Sequence, residues 1–373
     1  MEKHLHIVSF DVPFPVDNGV MMDIFYTLQT LHAAGIAVHL HCFDCGRGQQ
    51  PDLEKYCVEV NYYSRQCGHK GFSTRLPYMV ASRSNPELLN RLCEDEYPIL
   101  LEGVHGSYLL YDERFSNRKI LLRVHQIAHE YLRELSRTSS SPFKKLYYLH
   151  ESKLMRQHES FIAGKITILT QSQQDAAVYR QQLNASSVLA LPPFLPFGDT
   201  VNKDGIGCFC LYHGNLSSVQ NEKAALWLLK NVFKKLNVHF VIAGKDPSAR
   251  LEQAINSQSN ACLVANPSEQ EMQDLISQAH IHVLPSLSSK PVQIKLLNAL
   301  FNGRHLIVNE QMVTDSALAP YCHIATTAEA FQSVIVQLKH QPFDDHEIML
   351  RRNLLEKYFD NEQNGKRLLS LIY

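Results

Sequence analysis

Residues 208–244 read CFCLYHGNLSSVQNEKAALWLLKNVFKKLNVHFVIAG. The apolar run 208–214 has the length of a buried strand and stops at Gly214; apolar positions then return at helical spacing over 220–236, and a second apolar run, 239–244, stops at Gly244. Strand, glycine turn, helix, strand is the repeating unit of a parallel α/β sheet. In such a unit the helix begins beyond the carboxyl end of the strand, where its first amides attract anions. Gly214 permits the tight turn, and the amides from Asn215 to Ser218 are candidates to cradle a phosphate.

The same alternation extends in both directions. Downstream lie strands 261–266, 281–286 and 305–309 and helices 247–256, 268–279 and 291–302. Upstream, strands are predicted at 5–10, 37–43, 98–104, 119–125 and 165–170, with a helix over 20–35 that Gly35 closes. Between 189 and 207 the periodicity stops in LALPPFLPFGDTVNKDGIG, a linker composition. The expected fold class is α/β, two doubly wound Rossmann-like domains facing across a cleft. The boundaries read 1–192 for the first domain, 193–206 for the linker, 207–345 for the second domain, and 346–373 for terminal helices packing back toward the first. Thr326 and Glu329 have capping-box spacing for a helix through about 338.

Composition narrows the function. Thirty-six basic and 37 acidic residues leave no global field for nucleic acid. The interval 114–165 nonetheless carries eleven Lys or Arg against four Glu, which suits either a solvated helical face or an anionic membrane surface. Nine scattered cysteines, no apolar leader and no run of ~18 apolar residues point to a cytoplasmic chain. His4, His6, His39 and His41 alternate along two strands, as partnered sheet residues would; no metal is expected.

The candidate site residues cluster at predicted strand ends. On the second domain these are Gly214, Asn215, Gly244, Lys245, Asn266, Pro267, Ser289 and Lys290, with Lys295 and Asn298 three apart on the following helix, suited to a phosphate and a ribose hydroxyl. On the first domain they are Glu102, His105, His125 and the weaker His129, groups able to hydrogen-bond a sugar or steady charge at a reacting carbon. Asn18 and Gly19 open the first helix beside them.

In its order of segments the chain resembles the retaining, GT-B-fold glycosyltransferases of the family 4 type. The opening HIVSFDVPFPVDNGVMMDIFYTLQTLHAAGIAVHL resembles their first strand, loop and helix, and LLRVHQIAHEYLREL resembles the RxHNxEHxY segment of a bacterial envelope-polysaccharide subgroup. YHGNLSSVQNEKAALWLL, FVIAGKDPS and LPSLSSKPVQIKLLNALFNGRHLIVN resemble the donor-binding segments. The resemblance implies sugar transfer from a nucleotide diphosphate sugar, with retention and no required cofactor, to a glycan or lipid-linked acceptor received by the first domain. The expected setting is the inner membrane face, with the positive interval 114–165 as the peripheral contact. Two glutamates eight apart are usual in these enzymes; here Lys290 and Asn298 stand in their places. A catalytically silent protein that binds a nucleotide sugar or a partner enzyme is the alternative this departure leaves open.

Overall fold

The computed structural model describes residues 2–287, 294–313 and 318–373. The chain forms two compact units, Met1–Pro196 with Phe359–Tyr373, and Phe197–Tyr358.

The first unit is built on seven parallel strands: β1 (Lys3–Ser9), β2 (Ile36–Asp44), β3 (Glu59–Ser64), β4 (Ile99–Glu102), β5 (Ile120–Val124), β6 (Thr167–Thr170) and β7 (Val188–Ala190). Their order is β3-β2-β1-β4-β5-β6-β7. Helices α1 (Gly19–Ala33), α2 (Tyr78–Ala81), α3 (Pro86–Leu92), α4 (Ala128–Thr138), α5 (Pro142–Ala163) and α6 (Gln173–Gln182) make the crossovers. Alternate residues of β1 feed opposite faces, as the period of two requires. Leu5 and Ile7 pack with Phe25, Leu28 and Leu31 of α1, whereas Val8 packs with Leu101, Leu122 and Ile168. Strand order reverses between β1 and β4, the place where such sheets open a crevice beyond their carboxyl ends.

Asn18 is the N-cap of α1, its Oδ1 accepting from the amides of Val20 and Met21 at 3.0 and 3.1 Å, which orients Gly19 as the first helical residue. Gly35, at φ +74°, ends the helix in the left-handed conformation expected of it.

The second unit repeats the plan with β8 (Cys210–His213), β9 (Phe240–Gly244), β10 (Ala261–Ala265), β11 (Ile281–Leu284), β12 (His305–Val308) and β13 (His323–Ile324), all parallel, in the order β10-β9-β8-β11-β12-β13. Its helices are α7 (Val219–Trp227), α8 (Ala249–Asn256), α9 (Glu269–Gln278), α10 (described over Ile294–Asn302), α11 (Ala328–Leu338) and α12 (Asp345–Tyr358). The helix expected over 220–236 is not uniform. After Trp227 it widens into a π turn, Leu228–Val232, and then tightens into a 3-10 turn, Phe233–Lys235. That change of pitch buries Leu228, Leu229, Val232 and Phe233 together and stacks Phe233 on Phe240 at 3.7 Å. The cap of α11 is Thr327, accepting from Ala330 N, so the capping box expected from Thr326 and Glu329 does not form; Ala330 has no side-chain acceptor to complete one.

The terminal helix α13 (Asn361–Ile372) belongs to the first unit, while α12 stays with the second. The expectation was a single block from 346. Gly365 lets α13 lie against Thr30 of α1, and Leu368 and Ile372 complete that face of the core. Asn361 holds the turn, its amide exchanging hydrogen bonds with Leu195 at 2.7 and 3.0 Å.

The strand histidines are partnered. His4 Nδ1 faces His39 Nε2 at 3.1 Å and His6 Nδ1 faces His41 Nε2 at 2.9 Å, with Glu59, Tyr63 and Asp95 closing the ladder. Burial drives several imidazoles far down, His41 and His213 to about 3 and His158 and His305 to about 4. In the unfolded chain a histidine titrates near ~6.5, so on acidification the unfolded state takes up these protons first. The neutral rings thus stabilise the fold fully above about pH 6.5, and this contribution is lost as pH falls through the folded values. A thermal-melt series is expected to show Tm constant near neutrality and falling steadily below about pH 6.5; a flat profile down to about pH 4.5 would contradict neutral buried imidazoles.

Candidate active site

At the reversal point of the first sheet lies a buried polar network. Asp23, from the first turns of α1, meets Arg123 of β5 at 2.6 Å, and neither side chain is exposed. Arg123 also donates to Thr27 Oγ1 at 2.7 Å, and its guanidinium lies 4.8 Å from the Phe194 ring centroid. His125, just past β5, stands 2.8 Å from Glu102 through Nε2 and 3.2 Å from Asp23 through Nδ1. Gln171 donates to Asp23 at 2.8 Å, and the Phe194 amide donates to the same carboxylate at 2.6 Å. Burial opposes charge on His125, but the hydrogen bonds and charges of Asp23 and Glu102 overcome it and raise its pKa. Burial likewise opposes the Asp23 carboxylate, and Arg123 with His125 holds it below the usual range. Two carboxylates therefore converge on one guanidinium and one imidazole.

This arrangement alters the roles expected of Glu102 and His125 as catalytic groups. Glu102 is fully buried, and both His125 nitrogens are engaged within the network. They hold β4, β5 and α1 in register beneath the sheet edge, although Glu102 Oε1, 3.7 Å from Arg123, has no hydrogen-bond partner among the described residues. His129 is also structural: its Nδ1 lies 2.6 Å from Glu159, which accepts the Ala128 and His129 amides at the start of α4. His105 differs. It follows β4 at the reversal point, stacks on Phe10 at 4.4 Å, keeps part of its surface exposed, and has no hydrogen-bond partner at Nδ1 among the described residues. Burial, then the charges of Arg83, His125 and Arg65, hold its pKa well below the ordinary value, so its ring is neutral.

The second unit gathers its candidates at the carboxyl edge of its own sheet. Gly214 (φ +154°) follows β8, and Gly244 ends β9 so close to it that a Cβ on Gly244 would overlap the Gly214 carbonyl oxygen. Asn266, at φ +52°, follows β10; its amide donates to Gly244 O and its Oδ1 accepts from Asp246 N, both at 2.8 Å, while Lys245 and Asn266 are exposed and Pro267 half-buried. Lys295, near the described start of α10, reaches back to this edge. Its Nζ donates to Asn221 Oδ1 at 3.0 Å and lies 5.2 Å from the Tyr212 ring centroid, and its Cδ is 3.7 Å from the position a Cβ on Gly214 would take. Asn298, one turn on, accepts from Asn302 Nδ2 at 2.7 Å. Ser289 and Lys290, like Pro291 and Gln293, lie outside the described residues.

The amide cradle expected at Asn215–Ser218 is a correction. The Leu216 amide donates to Lys245 O at 3.0 Å, the Ser217 amide to Asn215 Oδ1 at 3.0 Å, and the Ser218 amide to Asn215 O at 3.4 Å. These three amides are spent on the shape of the loop and its neighbour, and among the described residues Lys245 and Lys295 bring positive charge to this edge. Sequence reasoning missed Asn221 and Tyr212, which seat that lysine, and Asn309, which clamps the loop after β11 through Ser286 N at 2.8 Å and Ser286 O at 2.6 Å. It also missed Asp23, although a lone carboxylate in the apolar run VMMDIF was a visible signal. Among the described residues no three His, Cys, Asp or Glu side chains gather as metal ligands.

Replacing Asp23 with Ala leaves Arg123 buried without its acid. The expected loss is roughly 3–5 kcal/mol of unfolding free energy, read from urea titration; a loss below ~1 kcal/mol would show that the network contributes little to stability.

Residues 208–338 match the family model described as Glycosyl transferases group 1. A curated relative, an uncharacterized 44.6 kDa protein in the cps region of Klebsiella pneumoniae, is 26% identical over 325 residues, 81% of each chain. Among solved structures, sucrose-phosphate synthase from Thermosynechococcus elongatus superposes with a TM-score of 0.67 at 15% identity, covering 99% of this chain and 98% of that one. A TarM variant from S. aureus, in complex with Fondaparinux, alpha-GlcNAc-glycerol and UDP, superposes at 0.68 and 10% identity over 99% of both chains. HepE from Anabaena, in complex with UDP and glucose, superposes at 0.62 and 12% identity, again over 99% of both. The chain has the two-domain GT-B fold of these glycosyltransferases, and its residues 208–338 carry the sequence pattern of group 1 glycosyl transferases.

Proposed function

We propose that this chain transfers a sugar from a nucleotide diphosphate sugar to a glycan or lipid-linked acceptor, with retention at the anomeric carbon, in cell-envelope polysaccharide synthesis. The observation that carries the reading is Lys295 drawn against Gly214 at the strand-order reversal of the unit that matches group 1 glycosyl transferases. A lysine held by Asn221 beside a glycine turn is suited to neutralise a pyrophosphate, because Gly214 lets backbone and ligand approach and the ammonium supplies the charge that the loop amides do not. UDP in the TarM and HepE complexes and the cps location of the Klebsiella relative support the donor class and the envelope setting. In the roles we assign, Lys295 holds the donor phosphates, Asn298 a ribose hydroxyl, and neutral His105 a hydroxyl of the transferred sugar. Glu102 and His125 position His105 and the edge around it. The leaving phosphate helps deprotonate the acceptor, and no metal is required.

Incubation with a panel of nucleotide sugars, with and without glycan acceptors, is expected to release nucleoside diphosphate. NMR of the product is expected to show the donor's anomeric configuration kept. Lys295→Met should weaken nucleoside diphosphate binding about tenfold or more, with the fold intact by circular dichroism. Binding without release across the panel would instead favour the silent nucleotide-sugar-binding alternative.

The setting we assign is the cytoplasmic face of an anionic membrane, approached through 114–165. No described helix is long and apolar enough to cross a bilayer. The start of α5, however, carries Phe143 at 87% exposure and Leu146 at 69%, the two most exposed large apolar side chains among the described residues. With Tyr147 they form one helical stripe, and exposed Lys144, Lys145, Lys153 and Arg156 flank it. Apolar side chains bordered by cations suit the headgroup boundary of anionic lipid. Replacing those four basic residues with Gln should abolish co-sedimentation with phosphatidylglycerol vesicles at low salt; unchanged sedimentation would remove the docking idea.

A further inference from the structure

We propose that the carboxyl edge of the first unit's sheet binds an oxyanion, a carboxylate or phosphate borne by the acceptor sugar, with Arg65 and Arg83 as its neutralising charges. The assignment to an acceptor rests on the glycosyl-transfer reading above; the oxyanion site rests on the charges themselves.

Arg83 is nearly fully buried. Its Nε and Nη2 donate to the Phe10 carbonyl at 3.2 and 3.1 Å, and its Nη1 donates to Met79 O at 3.0 Å. Those carbonyls satisfy the N–H groups without cancelling the charge. Arg65, just past β3, is half-buried over the Tyr78 ring at 5.1 Å, and its buried Nε has no hydrogen-bond partner among the described residues. The two arginines belong to one locality: Gln66 N donates to Ser82 O at 2.8 Å and Gln66 Nε2 to Ser84 O at 2.9 Å, lashing the Arg65 segment to the Arg83 segment. The Cys45 thiol lies 3.8 Å from Arg83 Nη2.

Other shielded arginines of this unit have acids. Arg47 takes Asp11 and Asp17, Arg91 takes Glu59, Arg118 takes Asp95, and Arg123 takes Asp23. Among the described residues no carboxylate lies within 4.0 Å of Arg65 or Arg83. A charge removed from water without a counter-charge is costly, and a fold that tolerates two side by side at a ligand-binding edge is prepared for an anion. Phe10, which Arg83 holds, is the residue against which His105 stacks, so the cations adjoin the histidine assigned to the transferred sugar. The guanidinium fork matches carboxylate and phosphate geometry, which gives the preference over a neutral sugar.

The test is an NMR titration of the full chain, with UDP saturating, against D-glucuronate, D-glucose 6-phosphate and D-glucose. At least one anionic sugar is expected to bind about tenfold more tightly than glucose, the preference shrinking with added salt. Preference for glucuronate alone identifies a carboxylate, and preference for the 6-phosphate alone identifies a phosphate. Arg65→Gln should remove the preference while leaving UDP affinity unchanged, and Arg65→Lys, which keeps the charge, should restore part of it. Equal affinity for all three sugars overturns the proposal, as does a preference unaltered in a folded Arg65→Gln protein. If UDP does not bind but the Arg65-dependent preference persists, the glycosyl-transfer reading falls and the oxyanion site stands.

Discussion

A guanidinium and a carboxylate 2.6 Å apart, both fully withdrawn from solvent, organise the first unit. Arg123 arrives from β5 and Asp23 from α1, and around them close Thr27, His125, Glu102, Gln171 and the Phe194 amide. Desolvating such groups costs several kcal/mol per ion, on the order of what their attraction returns, so an apolar cluster of the same volume would be equally stabilising. What the polar set adds is direction. Each member accepts or donates along a fixed line, so β4, β5, α1 and the chain near Phe194 meet in one register, and His105 and Phe10 stack at the edge above it.

The second unit solves the same topological problem with different means. Its reversal point contains no comparable ion cluster among the described residues; backbone closeness sets the geometry. Gly244 lies against the Gly214 carbonyl, the Leu216 amide reaches Lys245 O, and Asn266 bridges to Gly244 and Asp246. Three neighbouring strand ends are thereby tied by main-chain contacts that any side chain at Gly244 would break. Three amides of the loop, from Leu216 to Ser218, are consumed in contacts within and beside it, and Lys295 of α10 is seated on Asn221 and Tyr212 at the same edge.

The fold was legible to the extent that burial leaves a periodic trace. A central strand such as FVIAG is apolar throughout and ends at a glycine, and ILLRV carries one charge in an otherwise apolar run, so most strands of both sheets could be read directly. Two kinds of element escaped. Strand β3 (EVNYYS) has Tyr63 as its single fully buried residue, and β13 spans two residues, so neither carries an apolar run. The π turn after Trp227 escaped because periodicity assigns one pitch to a continuous apolar stretch, whereas the pitch here bends to bury four side chains at once.

The sequence by itself determined which residue types stand at strand ends: glycines where backbones converge, His105 after β4, and Lys295 and Asn298 on one face of a helix. It determined the net positive run that includes α5. Tertiary structure decided what each group is free to do. Asn215 looked like a phosphate contact, and its side-chain oxygen accepts from Ser217 of its own loop; His125 looked available and is enclosed by Glu102, Asp23 and Gln171; Arg65 and Arg83 carried no signal in the sequence and stand with no carboxylate within 4.0 Å among the described residues. The physical reason is common to all three. A polar group's chemistry depends on which partners satisfy it, and those partners are brought together across long sequence separations by the packing of the sheet, which leaves no local pattern to read.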